Sequence, residues 1–181
     1  INQKTAQSLG LDCEAVVLSP SSHAGYYPGA RTMTMKVLFE RGTYKLLGAQ
    51  IVGYDGVDKR IDVLATAMRA GLKAYELTEL DLAYAPPYSS AKDPVNMAGY
   101  MIENMKNGLV KQFSYADIAG LTADDGAFLL DARTPAEYAA GHAKGFVNIP
   151  LDDLRSRIGE VPKAKRVYVM CHSGLRSYLA C

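Results

Sequence analysis

The chain has 181 residues, of which 49% are hydrophobic and 22% are charged. This length and composition suffice for one ordinary hydrophobic core or two small ones, so we expect a folded protein. Its 20 basic and 19 acidic residues leave a net charge of +1. Such a balance argues against the strongly basic surface that binds nucleic acid or an anionic membrane.

No apolar run reaches the roughly 18 residues that span a bilayer, and the amino end lacks the apolar stretch of a secretory signal. The three cysteines Cys13, Cys171 and Cys181 are an odd number without metal-ligand spacing. They predict reduced thiols in a cytoplasmic protein, with neither a disulfide framework nor a metal site. Because the chain begins at Ile1 and stops inside a predicted helix, we interpret it as a piece of a longer protein.

The first half of the chain predicts an antiparallel sheet. Residues 15–19 form a short apolar run, and residues 32–39 alternate between apolar and polar, as is typical of a half-buried strand. The apolar face of the alternating run consists of Met33, Met35, Val37 and Phe39. A break at residues 41–42 separates this run from residues 44–53, so the two runs are predicted to form a hairpin, with helices over one face.

Two helices are predicted beyond the hairpin. The first begins near Asp58 and ends at Gly71, which suits a left-handed cap, and its apolar positions are Ile61, Leu64, Met68 and Leu72. Asp93 is a good N-cap for the second helix, Pro94 suits its first position, and its apolar stripe is Ala98, Met101, Ile102 and Met105. We interpret both stripes as core packing, and the proline-containing segment between the helices as a shaped loop.

From Ser114 onwards, predicted helices and strands alternate, which is typical of a parallel sheet wrapped by helices. The strands are residues 127–131 and 166–170, and Thr134, Pro135 and Glu137 form a capping box at the start of a helix. We place a domain boundary in the polar stretch before Ser114. The predicted domains are therefore residues 1–109 and 110–181.

The second strand of this half delivers Cys171 into a loop that leads directly into a helix. Amide groups at the start of that helix and the cation of Arg176 are expected to stabilise a thiolate, the nucleophilic form of cysteine. The alternative is a structural cysteine at a strand end, followed by a chance arginine. His172 could tune the thiolate or donate to a bound oxyanion, but it could equally be an exposed loop residue without a catalytic role.

The motif DARTPAEYAAGHAKGFVNIPLDDL at 131–154, followed by CHSGLR at 171–176, resembles a single rhodanese domain. The resemblance implies that Cys171 carries a persulfide, that Arg176 assists catalysis, and that the substrate lies against His172, Ser173, Gly174 and Leu175. Phosphatases with a related fold have a loop one residue longer. Four residues separate Cys171 from Arg176 here, which favours sulfur over phosphate and disfavours a cysteine phosphatase.

The remaining rhodanese signature residues are expected to be scaffold, with Asp131 anchoring the loop region; they are Asp131, Arg133, Glu137, Gly141 and His142. The resemblance also implies further strands and a helix after Cys181. We therefore expect the rhodanese-like domain to be incomplete at its carboxy end.

Three motifs in the first half, SSHAGYYPGA at 21–30, LLGAQIVGYDGVDKRIDVLATAMRAG at 46–71 and LAYAPPYSSAKDPVNMAGY at 82–100, resemble a second family. It is the dimerisation domain of coenzyme A-disulfide reductases and NADH-dependent persulfide reductases, within the pyridine nucleotide-disulfide oxidoreductases. The resemblance implies a homodimer formed through residues 1–109. It gives a mixed fold class, α/β and α+β, in which an antiparallel sheet covered by helices precedes the rhodanese-like α/β domain.

The same resemblance implies that Tyr26 and Tyr84 help to complete the coenzyme A-disulfide site of the partner subunit. A phenol there could donate a hydrogen bond or a proton to a leaving thiolate, whereas the alternative is simple packing at the interface. The neighbouring Tyr27 and Tyr88 are less favoured. Lys59 and Arg60 could meet coenzyme A phosphates, although a solvated helix start is the simpler interpretation.

The implied parent enzyme is an FAD- and NAD(P)H-dependent oxidoreductase that acts on coenzyme A disulfide, a persulfide or a similar small thiol substrate. In it NAD(P)H reduces FAD, FAD reduces a cysteine outside this chain, and Cys171 exchanges sulfane sulfur with that centre. The chain has no glycine-rich dinucleotide motif after a strand, so we expect it to bind neither FAD nor NAD(P)H alone. The alternative is a homodimerisation and sulfur-carrier or regulatory module without independent catalysis.

Overall fold

The computed structural model describes residues 1–181, which divide into two compact units, Ile1–Lys111 and Gln112–Cys181. The boundary predicted from the sequence lies between residues 109 and 110. Each unit is described separately below.

The first unit contains an antiparallel sheet of three strands in the order β1–β2–β3. The strands are β1 (Cys13–Leu18), β2 (Thr34–Glu40) and β3 (Leu46–Val52). The predicted apolar face of β2 is confirmed, since Met33, Met35, Val37 and Phe39 are all buried. Period-two alternation places these side chains on one side of the sheet, where the core forms.

The turn between β2 and β3 contains Tyr44, a non-glycine residue with a positive φ of 60°. Its ring stacks on Phe39 at 5.7 Å and meets Tyr75 edge-on at 5.7 Å. Its carbonyl accepts a hydrogen bond from the Ala74 amide at 2.7 Å. These contacts on both sides of the residue offset the cost of a left-handed conformation.

Two helices cover the buried face of this sheet, as predicted. Helix α2 (Val57–Ala70) packs against β3, and α3 (Pro94–Lys106) packs against β1 and α2. The predicted caps are confirmed: Gly71 ends α2 in the left-handed region, and Asp93 accepts a hydrogen bond from the Val95 amide at the start of α3. Leu64, Ala98 and Ile102 of the two apolar stripes are buried.

Two elements of the first unit have no counterpart in the sequence prediction. Helix α1 (Gln3–Ser8) lies against β1, and a short 3₁₀ helix (Ala74–Glu79) packs against α3. The side-chain amide of Asn96 donates to the carbonyls of Leu77 and Leu80, each at 2.9 Å, and fixes the end of the 3₁₀ helix. Gly99 permits this packing, because a Cβ there would lie 2.7 Å from the Thr78 amide nitrogen.

Arg60, near the start of α2, contradicts both interpretations made from the sequence. Its side chain is only 1% exposed and forms an ion pair with Asp93 at 3.0 Å. It is therefore neither part of a solvated helix start nor accessible to a phosphate. The sequence pattern fails because the residue that neutralises the guanidinium lies 33 positions away, on another helix.

The second unit contains a parallel sheet of three strands in the order β5–β4–β6. The strands are β4 (Ala127–Asp131), β5 (Val147–Asn148) and β6 (Arg166–Met170). Helices α4 (Ile118–Thr122), α5 (Pro135–Ala140), α6 (Leu151–Leu154) and α7 (Leu175–Ala180) alternate with them. The predicted fold class of the chain, an antiparallel sheet followed by a parallel one, is confirmed.

A small core of Leu130, Ile149 and Leu154 holds the second unit together. The predicted capping box of α5 is confirmed, because Thr134 and Glu137 each bind the backbone amide of the other. None of the α-helices in either unit is long and apolar enough to cross a membrane.

The rhodanese signature residues form a framework around α5. The buried carboxylate of Asp131 accepts hydrogen bonds from the main chain and the guanidinium of Arg133, and Arg133 in turn donates to the carbonyl of Gly141 at 2.9 Å. The ring of His142 stacks on Tyr138 at 3.8 Å. Asp131 thus fixes the segment around α5 through Arg133.

We predict that Asp93→Asn destabilises the first unit by about 3–5 kcal/mol at pH 7, because it leaves the buried Arg60 cation without its counter-charge. Asparagine is itself a good N-cap, so the start of α3 is kept. Urea unfolding of the wild-type chain and the variant, followed by circular dichroism, measures the difference.

The same pair predicts a dependence on pH. Burial raises the pKa of Asp93, but hydrogen bonds from Ser89, the Val95 amide and Arg60 outweigh burial and hold the pKa below its ordinary value. The stability that the ionised carboxylate contributes is complete above the unfolded pKa of about 4 and is lost as the pH falls further. Asp93→Asn should flatten this acid dependence; parallel acid curves would contradict the assignment.

Candidate functional site

The first candidate site is a pair of tyrosines brought together from two loops. Tyr26 lies in the loop between β1 and β2, and Tyr84 lies in the loop before α3. Their hydroxyl oxygens are 2.7 Å apart, within hydrogen-bond distance, although the residues are 58 positions apart in the chain. Tyr26 is 77% exposed and Tyr84 is 48% exposed. Both phenols can therefore reach a ligand from solvent.

The pairing affects the protonation of the phenols. The hydrogen bond with Tyr26 raises the pKa of Tyr84 above its ordinary value, and burial and the charge of Tyr26 act in the same direction. Tyr84 is consequently protonated at neutral pH. A protonated phenol can donate to an anionic group, which a tyrosinate cannot do.

The other two tyrosines of these loops have different surroundings. Tyr27 meets the buried ring of His23 edge-on at 5.8 Å. Tyr88 is exposed, and its carbonyl accepts a hydrogen bond from Arg60 at 3.3 Å. Neither hydroxyl belongs to the Tyr26–Tyr84 pair.

Lys59 supplies a cation close to the tyrosine pair. Its ammonium nitrogen lies 3.4 Å from the carbonyl oxygen of Ala83, the residue before Tyr84, and 3.9 Å from the Asp93 carboxylate. Its side chain is 35% exposed. Of the two adjacent basic residues singled out in the sequence, Lys59 therefore remains accessible and Arg60 does not.

The second candidate site surrounds Cys171, in the loop between β6 and α7. The amide nitrogen of Gly174 donates to the sulfur at 3.1 Å, and the sulfur lies 3.6 Å from the hydroxyl of Ser177. Gly174 has a φ of 95°, a left-handed conformation that glycine adopts without strain. It stands at the N-cap of α7, where the chain turns from the loop into the helix.

The surroundings of Cys171 favour its thiolate. Burial raises the pKa of the thiol, but the hydrogen bond with the Ser177 hydroxyl and those from the amides of Ser177, Ser173 and Gly174 outweigh burial and lower the pKa below its ordinary value. Burial alone raises the pKa of Cys181. The two thiols of this unit therefore differ in the direction expected if Cys171 is the reactive one.

Arg176 forms an ion pair that the sequence did not suggest. Its two terminal nitrogens donate to the two carboxylate oxygens of Glu137, each at 2.7 Å. The pair with Arg176 and the bonds from Thr134 hold the pKa of Glu137 well below its ordinary range. The guanidinium lies beside the Cys171 loop, and both Glu137 and Cys171 raise its pKa. Its charge is thus partly neutralised by Glu137.

The other predicted loop residues, His172, Ser173, Gly174 and Leu175, are all exposed. They leave the mouth of the loop open to a substrate above the sulfur. No group of three or more His, Cys, Asp or Glu side chains is arranged to hold a metal ion.

Sequence reasoning missed three residues around the two sites. Arg60 was singled out, but its burial was missed, because a lysine–arginine pair at a helix start is usually solvated. Glu137 was assigned to the capping box and to the scaffold of the rhodanese signature, and its pairing with Arg176, which spans 39 positions, was not foreseen. Ser177 carried a weak signal, since a hydroxyl just after the loop can reach back to a strand-end sulfur.

Comparisons with known proteins identify both units. The profile of the pyridine nucleotide-disulphide oxidoreductase dimerisation domain matches residues 1–95, and that of the rhodanese-like domain matches residues 114–181. The coenzyme A disulfide reductase of Staphylococcus haemolyticus (strain JCSC1435) is 47% identical over 102 residues, which are 56% of this chain and 23% of that protein. The coenzyme A disulfide reductase of Staphylococcus aureus (strain bovine RF122 / ET3-1) is 47% identical over 89 residues, which are 49% of this chain and 20% of that protein.

Two solved structures match almost the whole chain. The reduced Bacillus anthracis CoADR-RHD is 46% identical with a TM-score of 0.93, and the match covers 99% of this chain and 32% of that one. A NAD-dependent persulfide reductase from A. fulgidus is 37% identical with a TM-score of 0.86, and the coverage is again 99% and 32%.

The chain thus spans about a fifth to a third of the length of these relatives and structures. The matches assign its first unit to one known domain family and its second unit to another. The chain belongs to the pyridine nucleotide-disulphide oxidoreductases through its dimerisation domain, and it carries a rhodanese-like domain after it.

Proposed function

We propose that this chain supplies the dimerisation and sulfur-transfer parts of an FAD- and NAD(P)H-dependent reductase of coenzyme A disulfide or persulfide. The observation that carries the proposal is the Cys171 sulfur, which accepts an amide hydrogen bond in a six-residue loop joined to a disulfide-reductase dimerisation domain. The names of the matching relatives, coenzyme A disulfide reductase and NAD-dependent persulfide reductase, support the substrate class.

The cofactors lie outside this chain in the proposal. Neither unit contains a glycine-rich turn between a strand and a helix of the kind that binds a dinucleotide pyrophosphate. We therefore assign FAD and NAD(P)H to the rest of the reductase. Residues 1–109 form its homodimer, and the three free cysteines suit a reducing compartment such as the cytoplasm.

The tyrosine pair serves disulfide reduction in this proposal. A thiolate attacks one sulfur of the disulfide, a new S–S bond forms, the original one breaks, and coenzyme A leaves as a thiolate. The phenols of Tyr26 and Tyr84 share one hydrogen bond, so the second hydroxyl hydrogen of the pair can be donated to that leaving sulfur. In the homodimer, the tyrosine pair of one subunit lies at the coenzyme A-disulfide site of the other.

Cys171 carries sulfur in the second unit. Its thiolate attacks the outer sulfur of a donor persulfide, the S–S bond of the donor breaks, and the donor leaves as a thiolate. Cys171 is left as a persulfide, whose outer sulfur a second thiol can accept. The amide of Gly174 donates to the sulfur and stabilises it as an anion before and after the transfer.

The charge around the loop favours sulfur over phosphate. A phosphate dianion needs several free donors, whereas both terminal nitrogens of Arg176 are bound to Glu137. A persulfide brings at most a single negative charge. The short loop and the partly neutralised arginine therefore both favour sulfur over phosphate as the group that Cys171 accepts.

Cys171→Ser in the intact reductase should abolish sulfur transfer from a persulfide to an acceptor thiol, because serine does not form a persulfide. Cys181→Ser is the matched control in the same unit and should keep wild-type transfer. The rate of thiol-dependent sulfide release measures both. Sulfur transfer that survives in Cys171→Ser would contradict the role of Cys171. It would mean that another group carries the sulfur and that this chain supplies dimerisation.

Tyr84→Phe should lower kcat for coenzyme A disulfide by about 100-fold, the lower end of what a positioned proton donor supplies. Tyr54→Phe, which removes the hydroxyl of a tyrosine that is 94% exposed in the same unit, should have no effect. Oxidation of NAD(P)H by the intact reductase at saturating disulfide measures both rates. Equal kcat values for Tyr84→Phe and Tyr54→Phe would mean that the tyrosine pair only packs at the interface.

Alkylation should distinguish the two thiols of the second unit. Because only the thiolate reacts, the rate at each cysteine rises with pH through its pKa, which is lowered for Cys171 and raised for Cys181. Cys171 should therefore reach its half-maximal rate at the lower pH. Mass spectrometry of iodoacetamide-treated chain gives both profiles.

Glu137→Gln tests whether the charge beside Arg176 affects the Cys171 thiol. Glutamine preserves the capping box but removes the negative charge beside Arg176, so the Cys171 profile should move to still lower pH. Coincident profiles for Cys171 and Cys181 in the wild type would contradict the activation of Cys171.

A further inference from the structure

Arg60 is the largest fully buried side chain of the protein, and it is the centre of a polar network. Its Nε and one terminal nitrogen bind the Asp93 carboxylate at 3.2 Å and 3.0 Å. Its other partners are three main-chain carbonyl oxygens, those of Gly56 at 3.0 Å, Ser22 at 2.8 Å and Tyr88 at 3.3 Å, and the hydroxyl oxygen of Ser89 at 3.5 Å. Stability alone does not explain the network, because apolar side chains of similar volume often serve as well as a buried ion pair.

The network joins the two loops that carry the tyrosine pair. Ser22 lies four residues before Tyr26, and Tyr88 lies four residues after Tyr84. One terminal nitrogen of Arg60 binds the carbonyls of both Ser22 and Tyr88. Both loops are therefore tied to the same buried nitrogen, which the ion pair with Asp93 holds in place.

A second contact joins the same loops directly. The Ala24 amide donates to the carbonyl of Ser89 at 3.0 Å, and the hydroxyl of Ser89 donates to Asp93 at 2.6 Å. Asp93 is thereby held by the loop as well as by Arg60. The two tyrosines themselves are exposed to solvent, but each loop is held by buried polar groups four residues away from its tyrosine.

Gly56 shows that the local backbone is shaped around the guanidinium. It has a φ of 66°, and its carbonyl accepts a hydrogen bond from Arg60. A Cβ at position 56 would lie 2.1 Å from the nearest terminal nitrogen of Arg60. A side chain at this position would therefore displace the guanidinium from its site.

We propose that Arg60 is a positioning residue of the disulfide site: it sets the spacing of the two loops so that the hydroxyls of Tyr26 and Tyr84 meet. The proposal rests on the function proposed above for the tyrosine pair. A displacement of about 1 Å in a catalytic group can cost about 100-fold in rate. Arg60 therefore controls the rate through the position of the two hydroxyls, without touching the substrate.

The test uses Arg60→Lys in the intact reductase. Lysine keeps a positive charge beside Asp93 but has a single nitrogen in place of three, so it cannot keep the contacts with Asp93 and Gly56 in their present geometry together with those to both loop carbonyls. We expect kcat for coenzyme A disulfide to fall by about 10- to 100-fold, while the KM for NAD(P)H stays unchanged. Arg41→Lys is the matched control, because Arg41 forms an exposed ion pair with Asp12 in the same unit.

A second background separates positioning from general damage. In the variant Tyr26→Phe/Tyr84→Phe, adding Arg60→Lys should lower kcat little further, because the hydroxyls through which Arg60 acts are gone. An equal loss in both backgrounds, or wild-type kcat for Arg60→Lys in a folded dimer, would overturn the proposal. Wild-type kcat in the double phenylalanine variant would instead refute the function proposed for the pair itself.

Gly56→Ala provides the comparison should Arg60→Lys fail to give a folded dimer. It keeps the charges of Arg60 and Asp93 but displaces the guanidinium and strains the left-handed backbone at position 56. We expect the same loss of kcat in the wild-type background and the same small effect in the double phenylalanine background. Losses of equal size in the two backgrounds would overturn the proposal here as well.

Discussion

The ion pair between Arg60 and Asp93 is the interaction on which the first unit depends. A buried guanidinium is tolerated only when nearly all its donors are bound, and here the acceptors come from Gly56, Ser22, Tyr88 and Asp93. These residues belong to the segment before α2, to both tyrosine loops and to the start of α3. The positive charge of Arg60 thus determines where the two tyrosine loops, which have no regular secondary structure, lie.

The second unit also uses an ion pair to fix the position of separate segments, but this pair lies at the surface. Glu137 completes the capping box of α5 and binds the guanidinium of Arg176, so the start of that helix is tied to the helix after the Cys171 loop. Both side chains are partly exposed, at 35% and 30%. Such a pair contributes little to stability, and its effect is to orient one cation and reduce its charge beside a thiolate.

Most of the fold could be predicted from the sequence because its signals are local. The alternation in β2, the caps at Gly71 and Asp93, and the capping box of Thr134 depend on residues within a few positions of each other. The burial of Arg60 could not be predicted, because its partners lie up to 38 positions away. The same holds for Glu137 with Arg176, and for α1, whose six residues gave too short a pattern to read.

The central claim is that the tyrosine pair of one subunit acts on a disulfide held by the other. The most direct test is a crystal structure of the intact reductase with coenzyme A trapped as a mixed disulfide on its redox cysteine. The account predicts that the hydroxyl of Tyr26 or Tyr84 lies within hydrogen-bond distance, up to about 3.5 Å, of the coenzyme A sulfur across the dimer interface. Coenzyme A bound with both hydroxyls packed only against protein would contradict it.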